Sequence, residues 1–497
     1  MRRTMKGNFG KLSSFLGLHG RERPDKPFLI ELKRKLSFTY REFDSLVGAA
    51  CRLFLSLGLK KGDVISAVLD NNSEFCILYF ASLRYGTVFN PYPYLLIAPE
   101  IKRDLDILKP KIVFVQEERK AEFGILEKEQ SVYYVRIGAA GAFLSDLAGR
   151  RGEFPEEDAD PGDIACLYHS SAPAVEPRGV LYSHENIMAL VPSVARGLKL
   201  SERDNHLIVL PLGHTAALNY SLLPAVFLGA SVVLADSFWN VRNDFWNIIK
   251  SRRITYAQVV PTVLFILLHL PGRRAAAAPS LKFMGCGSAP LSLGLQSDFE
   301  AAFGLPVANL YGLTETGPTH YDDPLAPGWK RGNIGKPLDV NRVVILDEKG
   351  SGLPDGETGE IAVQGDNVFP RYGIHGELTG RHIRNGFFCT GDLGVRNRDG
   401  VFGFRGLKKR LIIRGGINIH PAEIDEILTS HPDIREAWTK GIPDDYFGEL
   451  IKAFVVFRGG RSVPESRLKD FCKERLSPIK VPDFIIPVPD IDGVGES

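Results

Sequence analysis

Short β-branched runs recur between helix-like segments through much of this chain: Lys111–Gln116, His206–Leu210, Ala230–Leu234, Tyr256–Val260 and Leu281–Met284. Apolar runs without alternation belong to strands buried on both faces, and strands separated by helices pair in parallel. The pattern predicts an α/β architecture. From Asn341 the texture changes to strand and turn, with Lys349-Gly350 and Asp355-Gly356 punctuating two alternating strands, so a β-rich subdomain is expected there. A helix over Pro421–Ser430, a strand over Ala453–Phe457 and a helix over Glu465–Leu476 predict a small α+β unit at the end. At 497 residues the chain exceeds one compact core, because domains run to roughly 100–200 residues.

Charge and cysteine usage narrow the function classes. Lys+Arg number 61 against 59 Asp+Glu, a net charge of +2 with no basic tail, which argues against nucleic acid as a partner. The six cysteines, Cys51, Cys76, Cys166, Cys286, Cys389 and Cys472, show no CxxC pair and read as reduced thiols of a cytoplasmic protein. The basic N-terminus lacks a signal-peptide pattern, and its amphipathic start reads as a helix packed on its own domain in preference to a membrane contact. The longest apolar stretch, Leu222–Ala235, contains Pro224 and Gly229 and is short of the ~20 residues that cross a bilayer. No transmembrane segment is expected, and oligomeric state is left open.

Chemistry concentrates in a few turns. Met284–Ser292 and Asn309–Pro318 (NLYGLTETGP) place glycines after apolar strands, where a ligand can approach the backbone. Tyr311 can stack a flat ring, Thr314 can bond a phosphate, and Glu315 can hold Mg²⁺. Taken alone, such turns are also ordinary strand ends. In Phe388–Gly394 (FCTGDLG), the Asp392 carboxylate can accept both hydroxyls of a ribose. The segment Arg405–Ile424 follows after a short hairpin.

In this order the motifs resemble the adenylate-forming superfamily: acyl- and aryl-CoA ligases, adenylation domains of nonribosomal peptide synthetases, and firefly luciferase. The resemblance spans nearly the whole chain and includes Ser37–Phe43, Val209–His214, Val259–Thr262, Gly287–Leu291, Tyr311–Glu315, Glu357–Gly365, Thr390–Gly394 and Arg414–Ile424. The last of these looks most like the acyl-CoA ligases. The resemblance implies a large N-terminal domain of α/β subdomains, 1–409, with its β-rich subdomain at about 335–405, and a shortened α+β lid domain at 410–497. It implies a two-step reaction: a carboxylic acid attacks the α-phosphate of ATP, pyrophosphate leaves, the lid rotates, and a thiol of CoA or of a carrier-protein phosphopantetheine arm displaces AMP.

Carried over by position, Gly287, Ser288, Ala289, Tyr311 and Gly312 would form the adenine pocket, Thr314 would meet the phosphate, Glu315 the Mg²⁺ and Asp392 the ribose. His214 would stand between acyl pocket and thiol channel, its alternative being a hydrogen-bonded core histidine. Gly415 and Gly416 would let pantetheine pass, their alternative being a plain turn. Asn219, Val260 and Met284 would line the acid pocket.

Three departures from the family's pattern concern ATP. The phosphate loop Ser170–Gly179 (SSAPAVEPRG) keeps Ser170, Ser171, Pro177, Arg178 and Gly179 but replaces glycines by Ala172 and Val175 and adds Glu176. Backbone amides need glycine freedom to curl around phosphates. Leu407 stands where an arginine reaches the nucleotide, with Arg405 and Lys408 as neighbouring substitutes, and Glu496 occupies the place of the adenylating lysine. Lys480 corresponds to a surface lysine. The leading expectation is an acid–thiol ligase impaired in ATP use. The alternatives are an ATP-independent acyltransferase moving an acyl or aryl group between CoA and the pantetheine arm of an acyl carrier protein, and a non-catalytic scaffold that binds an acyl group or nucleotide; the small partner expected is a carboxylic acid or its CoA thioester.

Overall fold

A computed structural model describes residues 11–137, 142–150, 160–169, 179–270, 280–373, 382–408, 411–458 and 461–490. The fold is α/β, with two large sheets in the body. One has the order Val132–Val135, Ile112–Gln116, Val64–Val68, Val88–Pro91, Ile164–His169 and Gly179–Ser183, parallel except at its last pair. The other has nine strands. Its parallel centre runs Val307–Leu313, Phe283–Gly287, Tyr256–Val259, Asn205–Ile208, Ser231–Leu234 and Pro27–Glu31, and antiparallel strands close both edges. The helix Ser73–Tyr85 is buried on every side, and its Phe75, Tyr79 and Phe80 join the main core.

The sheet of Asn341–Leu346, Thr358–Gly365, Phe387–Arg396, Ile383–Arg384 and Phe402–Leu407 is antiparallel throughout. Beyond it, the hairpin Ile412–Arg414 and Ile417–Ile419, the helix Pro421–Thr429, the strands Ile434–Asp444, Gly448–Phe457 and Phe484–Pro487, and the helix Glu465–Lys473 enclose a separate core around Ile424, Leu428, Ile434 and Ile451. An independent core is what lets such a unit move as a body.

The apolar stretch Leu222–Ala235 divides into the helix Leu223–Leu228 and the strand Ser231–Leu234. Gly229, at φ +74°, ends the helix in the left-handed region, and His19 packs against it. Leu12 and Leu16 are buried in the main core, so the helix Ser14–Glu22 packs on its own domain. No described helix is long and apolar enough to cross a membrane. All six cysteines are buried free thiols.

Acid sensitivity follows from buried histidines. Burial holds His184 and His206 at about 4 and His320 at about 3. Such a group is neutral when folded and titrates near 6.5 when unfolded, so its contribution is full above pH 6.5 and is lost as pH falls towards the folded value. For His184 the loss is about 3 kcal/mol. Thermal stability should fall steadily from pH 6.5 to 4, and less so in His184→Gln; superimposable wild-type and variant pH profiles would contradict this.

Candidate functional site

A cavity of about 640 Å³ lies where the nine-stranded sheet, the five-stranded sheet and the lid meet. Strands Phe283–Gly287 and Val307–Leu313 are parallel neighbours, with Gly287 opposite Leu310, so both deliver their following turns to one carboxyl-end edge, the usual ligand position of such sheets. Ser288, Ala289 and Asn309 to Glu315 line the cavity from this edge. His214 to Ala216, Asn219 and Tyr220 form a second wall. Glu360, Asp392, Leu407 and Lys408 come from the five-stranded sheet, and Ile413, Asn418 and His420 from the lid. Gly312 makes the edge turn possible: a Cβ there would stand 2.3 Å from the Gly317 carbonyl oxygen.

The polar groups are held by one another. Tyr311 Oη donates to Asp392 Oδ2 at 2.6 Å, joining the two sheets across the cavity. Burial lifts the Asp392 carboxyl to about 6; the Tyr311 hydroxyl opposes this, and the charges of Glu315 and Glu360 add to it. Glu360 accepts from Gly391 N at 3.0 Å and from Lys408 Nζ at 2.7 Å. Tyr372 Oη donates to Glu315 Oε1 at 3.0 Å, and Tyr182 Oη to the Thr314 carbonyl at 2.9 Å, so the Thr314-Glu315 turn is fixed from behind. His214 is open to the cavity yet enclosed by protein, which lowers its pKa. Its Nδ1 accepts from Ala216 N at 3.3 Å, which leaves the ring proton on Nε2.

Thus His214, Ser288, Ala289, Tyr311, Gly312, Thr314, Glu315 and Asp392 line one cavity. Gly287 sits at the strand end just before, where a Cβ would meet the Leu310 carbonyl oxygen at 2.6 Å. Gly415 and Gly416 form the lid hairpin turn, outside the lining, at φ +59° and +81°. Gly416 presses on the body: a Cβ would lie 2.7 Å from Val260 Cγ1. Ser170, Ser171 and Arg178 lie outside the described residues, as do Gly495 and Glu496. Of the three residues expected in the acid pocket, Asn219 lines the cavity, whereas Val260 faces the lid turn and Met284 is fully buried away from it. Leu407 and Lys408 both line the cavity; Arg405 does not, its guanidinium lying 3.5 Å from the neighbouring Phe404 carbonyl.

Lys480 differs from its expected surface position. Its Nζ bridges Glu100 Oε1 of the body at 2.8 Å and Glu423 Oε1 of the lid at 2.9 Å, with side-chain exposures of 14%, 4% and 10% in that order. Ser477 N donates to Glu100 Oε2 at 3.1 Å, and the same carboxylate accepts from Ile97 N at 3.1 Å, capping the helix Ala98–Leu108. Glu360, Asn418 and His420 are further cavity residues that the motifs contain without marking.

The AMP-binding enzyme family model matches residues 18–373, and that of the AMP-binding enzyme C-terminal domain matches 423–494. The sulfoacetate–CoA ligase of Cupriavidus necator is 31% identical over 97% of this chain and 94% of its own. The oxalate–CoA ligase of Arabidopsis thaliana is 31% identical over 95% and 93%. Among solved structures, the o-succinylbenzoate CoA synthetase of Bacillus subtilis, bound with its product analogue, is 26% identical and aligns over 96% of this chain and 95% of its own with a TM-score of 0.85.

Proposed function

This chain belongs to the AMP-binding enzyme family, within the adenylate-forming superfamily, and is a CoA ligase-like enzyme; from that premise we propose that it joins a small carboxylic acid to CoA through an acyl-adenylate. The observation that carries the reading is the single cavity in which Tyr311 and Asp392 face Thr314 and Glu315 while the lid supplies Asn418 and His420.

In this reading Asp392 accepts both ribose hydroxyls, the backbone of Gly287, Ser288 and Ala289 borders the adenine with Tyr311, and Thr314 meets the phosphate. A carboxylate oxygen of the acid attacks the α-phosphorus and pyrophosphate leaves; the CoA sulfur then attacks the acyl carbon and AMP leaves. Glu315 suits Mg²⁺, because that ion takes one or two carboxylates and completes its shell with phosphate oxygens and water. Held by Tyr372, the Glu315 carboxylate would keep the ion beside Thr314. The metal would offset phosphate charge. Lys408 is the cation that stands beside Leu407, and its pairing with Glu360 lowers its availability to phosphate, which supports a weakened ATP step. The lid, 410–497, moves between the two steps, and the Gly415-Gly416 turn against Val260 borders the thiol path.

Pyrophosphate release with ATP, CoA and a panel of small acids tests the reading, and a wholly silent panel overturns it. His214, neutral and open to the cavity, belongs to the thiol step in this scheme. His214→Ala should leave pyrophosphate release within twofold and slow thioester formation at least tenfold, a loss of at least about 1.4 kcal/mol in transition-state stabilisation. Equal loss in both steps would contradict that role.

A further inference from the structure

The charges of the cavity are unevenly placed. Asp392, Glu360, Lys408 and Arg384 belong to the wall of the five-stranded sheet, whereas the turn Leu218–Leu222 brings none. That turn is of π type, a widening of the helix frequent at functional sites. Asn219 lies on it, lines the cavity and is 3% exposed, and its Nδ2 donor has no partner among the described residues.

The layer behind the turn repeats the pattern. His206 Nδ1 donates to the Ser221 carbonyl at 3.1 Å, which turns His206 towards this segment and leaves Nε2 an acceptor without a partner. Tyr256 is the register partner of His206, and strand alternation puts Gln258 on the same face. Tyr256 Oη and both amide atoms of Gln258 are likewise buried and unpartnered among the described residues. Gly285, opposite Gln258, supplies the room: a Cβ there would be 3.1 Å from Tyr256 Oη. Buried polar atoms are nearly always satisfied. An alkyl tail against this wall would leave the Asn219 donor, the one of these atoms that borders the cavity, unpaired.

Charge excludes the opposite extreme. His206 and His214 are both pushed towards the neutral form by burial, so neither offers a cation. Of the Lys and Arg residues of the described lining, Lys408 is paired with Glu360, and Arg384 belongs to the wall of the five-stranded sheet, where it donates to the Glu348 carbonyl, and not to the wall of Asn219. A second carboxylate or a sulfonate would be buried here without a counter-charge, at high cost. Resting on the ligase reading, we propose that the acid carries a neutral hydrogen-bonding tail, a hydroxyl, carbonyl or amide, and that Asn219 is the residue that selects it. This separates the chain from its relatives named for sulfoacetate and oxalate, acids with two ionised groups.

The test uses matched acids: butanoate, 3-hydroxybutanoate and succinate; benzoate, 4-hydroxybenzoate and terephthalate. In at least one series the hydroxylated member should exceed both others at least tenfold in kcat/KM. Asn219→Leu should lower that preference at least tenfold with KM for ATP within twofold; Asn219→Ala, which removes the donor without adding bulk or charge, gives the same readout if the leucine variant does not fold. Equal or better use of the alkyl or dicarboxylic member, or an unchanged preference in both variants, overturns the proposal. If no acid is turned over, the ligase reading falls, and the six acids alone then decide selectivity by melting temperature: a shift confined to hydroxylated members sustains the proposal, and any other pattern, including none, overturns it.

Discussion

Asp392→Asn is expected to abolish productive ATP use while making the ligand-free protein more stable. The Asp392 carboxyl is 6% exposed and is lifted from 3.8 to about 6, first by burial and then by Glu315 and Glu360. A carboxylate whose folded pKa is raised contributes most below its unfolded pKa, and that contribution disappears as pH rises through the folded value. At pH 7.5 the burial of this charge therefore costs about 3 kcal/mol. Asparagine removes the charge, and its Oδ1 can still accept the Tyr311 hydroxyl. The variant should melt a few degrees higher at pH 7.5, with the gain shrinking towards pH 4. Its kcat/KM for ATP should fall at least hundredfold, because a neutral amide cannot offer two charge-assisted acceptors to a ribose. Scanning calorimetry at both pH values and pyrophosphate exchange check the two halves. A less stable variant at pH 7.5 would refute the electrostatic account, and retained ATP use would refute the ribose role.

Lys480→Met should release the lid. Burial by itself lowers the Lys480 pKa, yet Glu100 and Glu423 reverse this and raise it, so the ammonium bridges two buried carboxylates, with Arg103 of the body a more distant second cation, 3.9 Å from Glu423. Removing one member of a buried pair costs about 3–5 kcal/mol because the partners are left uncompensated. Glu100 belongs to the body and Glu423 to the lid, so the repulsion falls on the seam between them. The expected result is faster proteolysis at the seam and a thioester step slowed at least tenfold, with pyrophosphate release kept. Adding Glu100→Gln should restore part of the loss. A variant indistinguishable from wild type in proteolysis would show that this triad does not hold the lid.

Much of the site is legible in the sequence because its residues sit in turns whose composition is unusual for strand ends: Tyr311 to Glu315 and Thr390 to Asp392 fall on one cavity. The alternating strand and helix texture carries the parallel sheets in the same way, since each strand needs only its own apolar run to be recognised. What depends on register is hidden. Tyr256 pairs with Phe283 and Gln258 with Gly285, so Phe283, Gly285 and Gly287 share one face and Met284 takes the other; the strand stays behind the cavity on both faces and the lining begins only at Ser288, which the sequence of the strand does not tell. What depends on distant partners is hidden more deeply. Lys480 and Glu100 are 380 residues apart, and neither has a local pattern that names the other.

The arrangement around Glu100 decides what would be left behind if the lid departed in the proposed reaction. Lys480 and Glu423 are both lid residues and would leave together, as a pair whose charges cancel. Glu100 would stay on the body still accepting from Ile97 N, in the first turn of the helix Ala98–Leu108, where the helix dipole favours a negative charge. Opening the seam would thus leave Glu100 and its helix neighbour Arg103, which lies 3.9 Å from Glu423 when the two units meet, on the body, and the Lys480–Glu423 pair on the other unit, so each side would keep charges of both signs and departure would not be prohibitive.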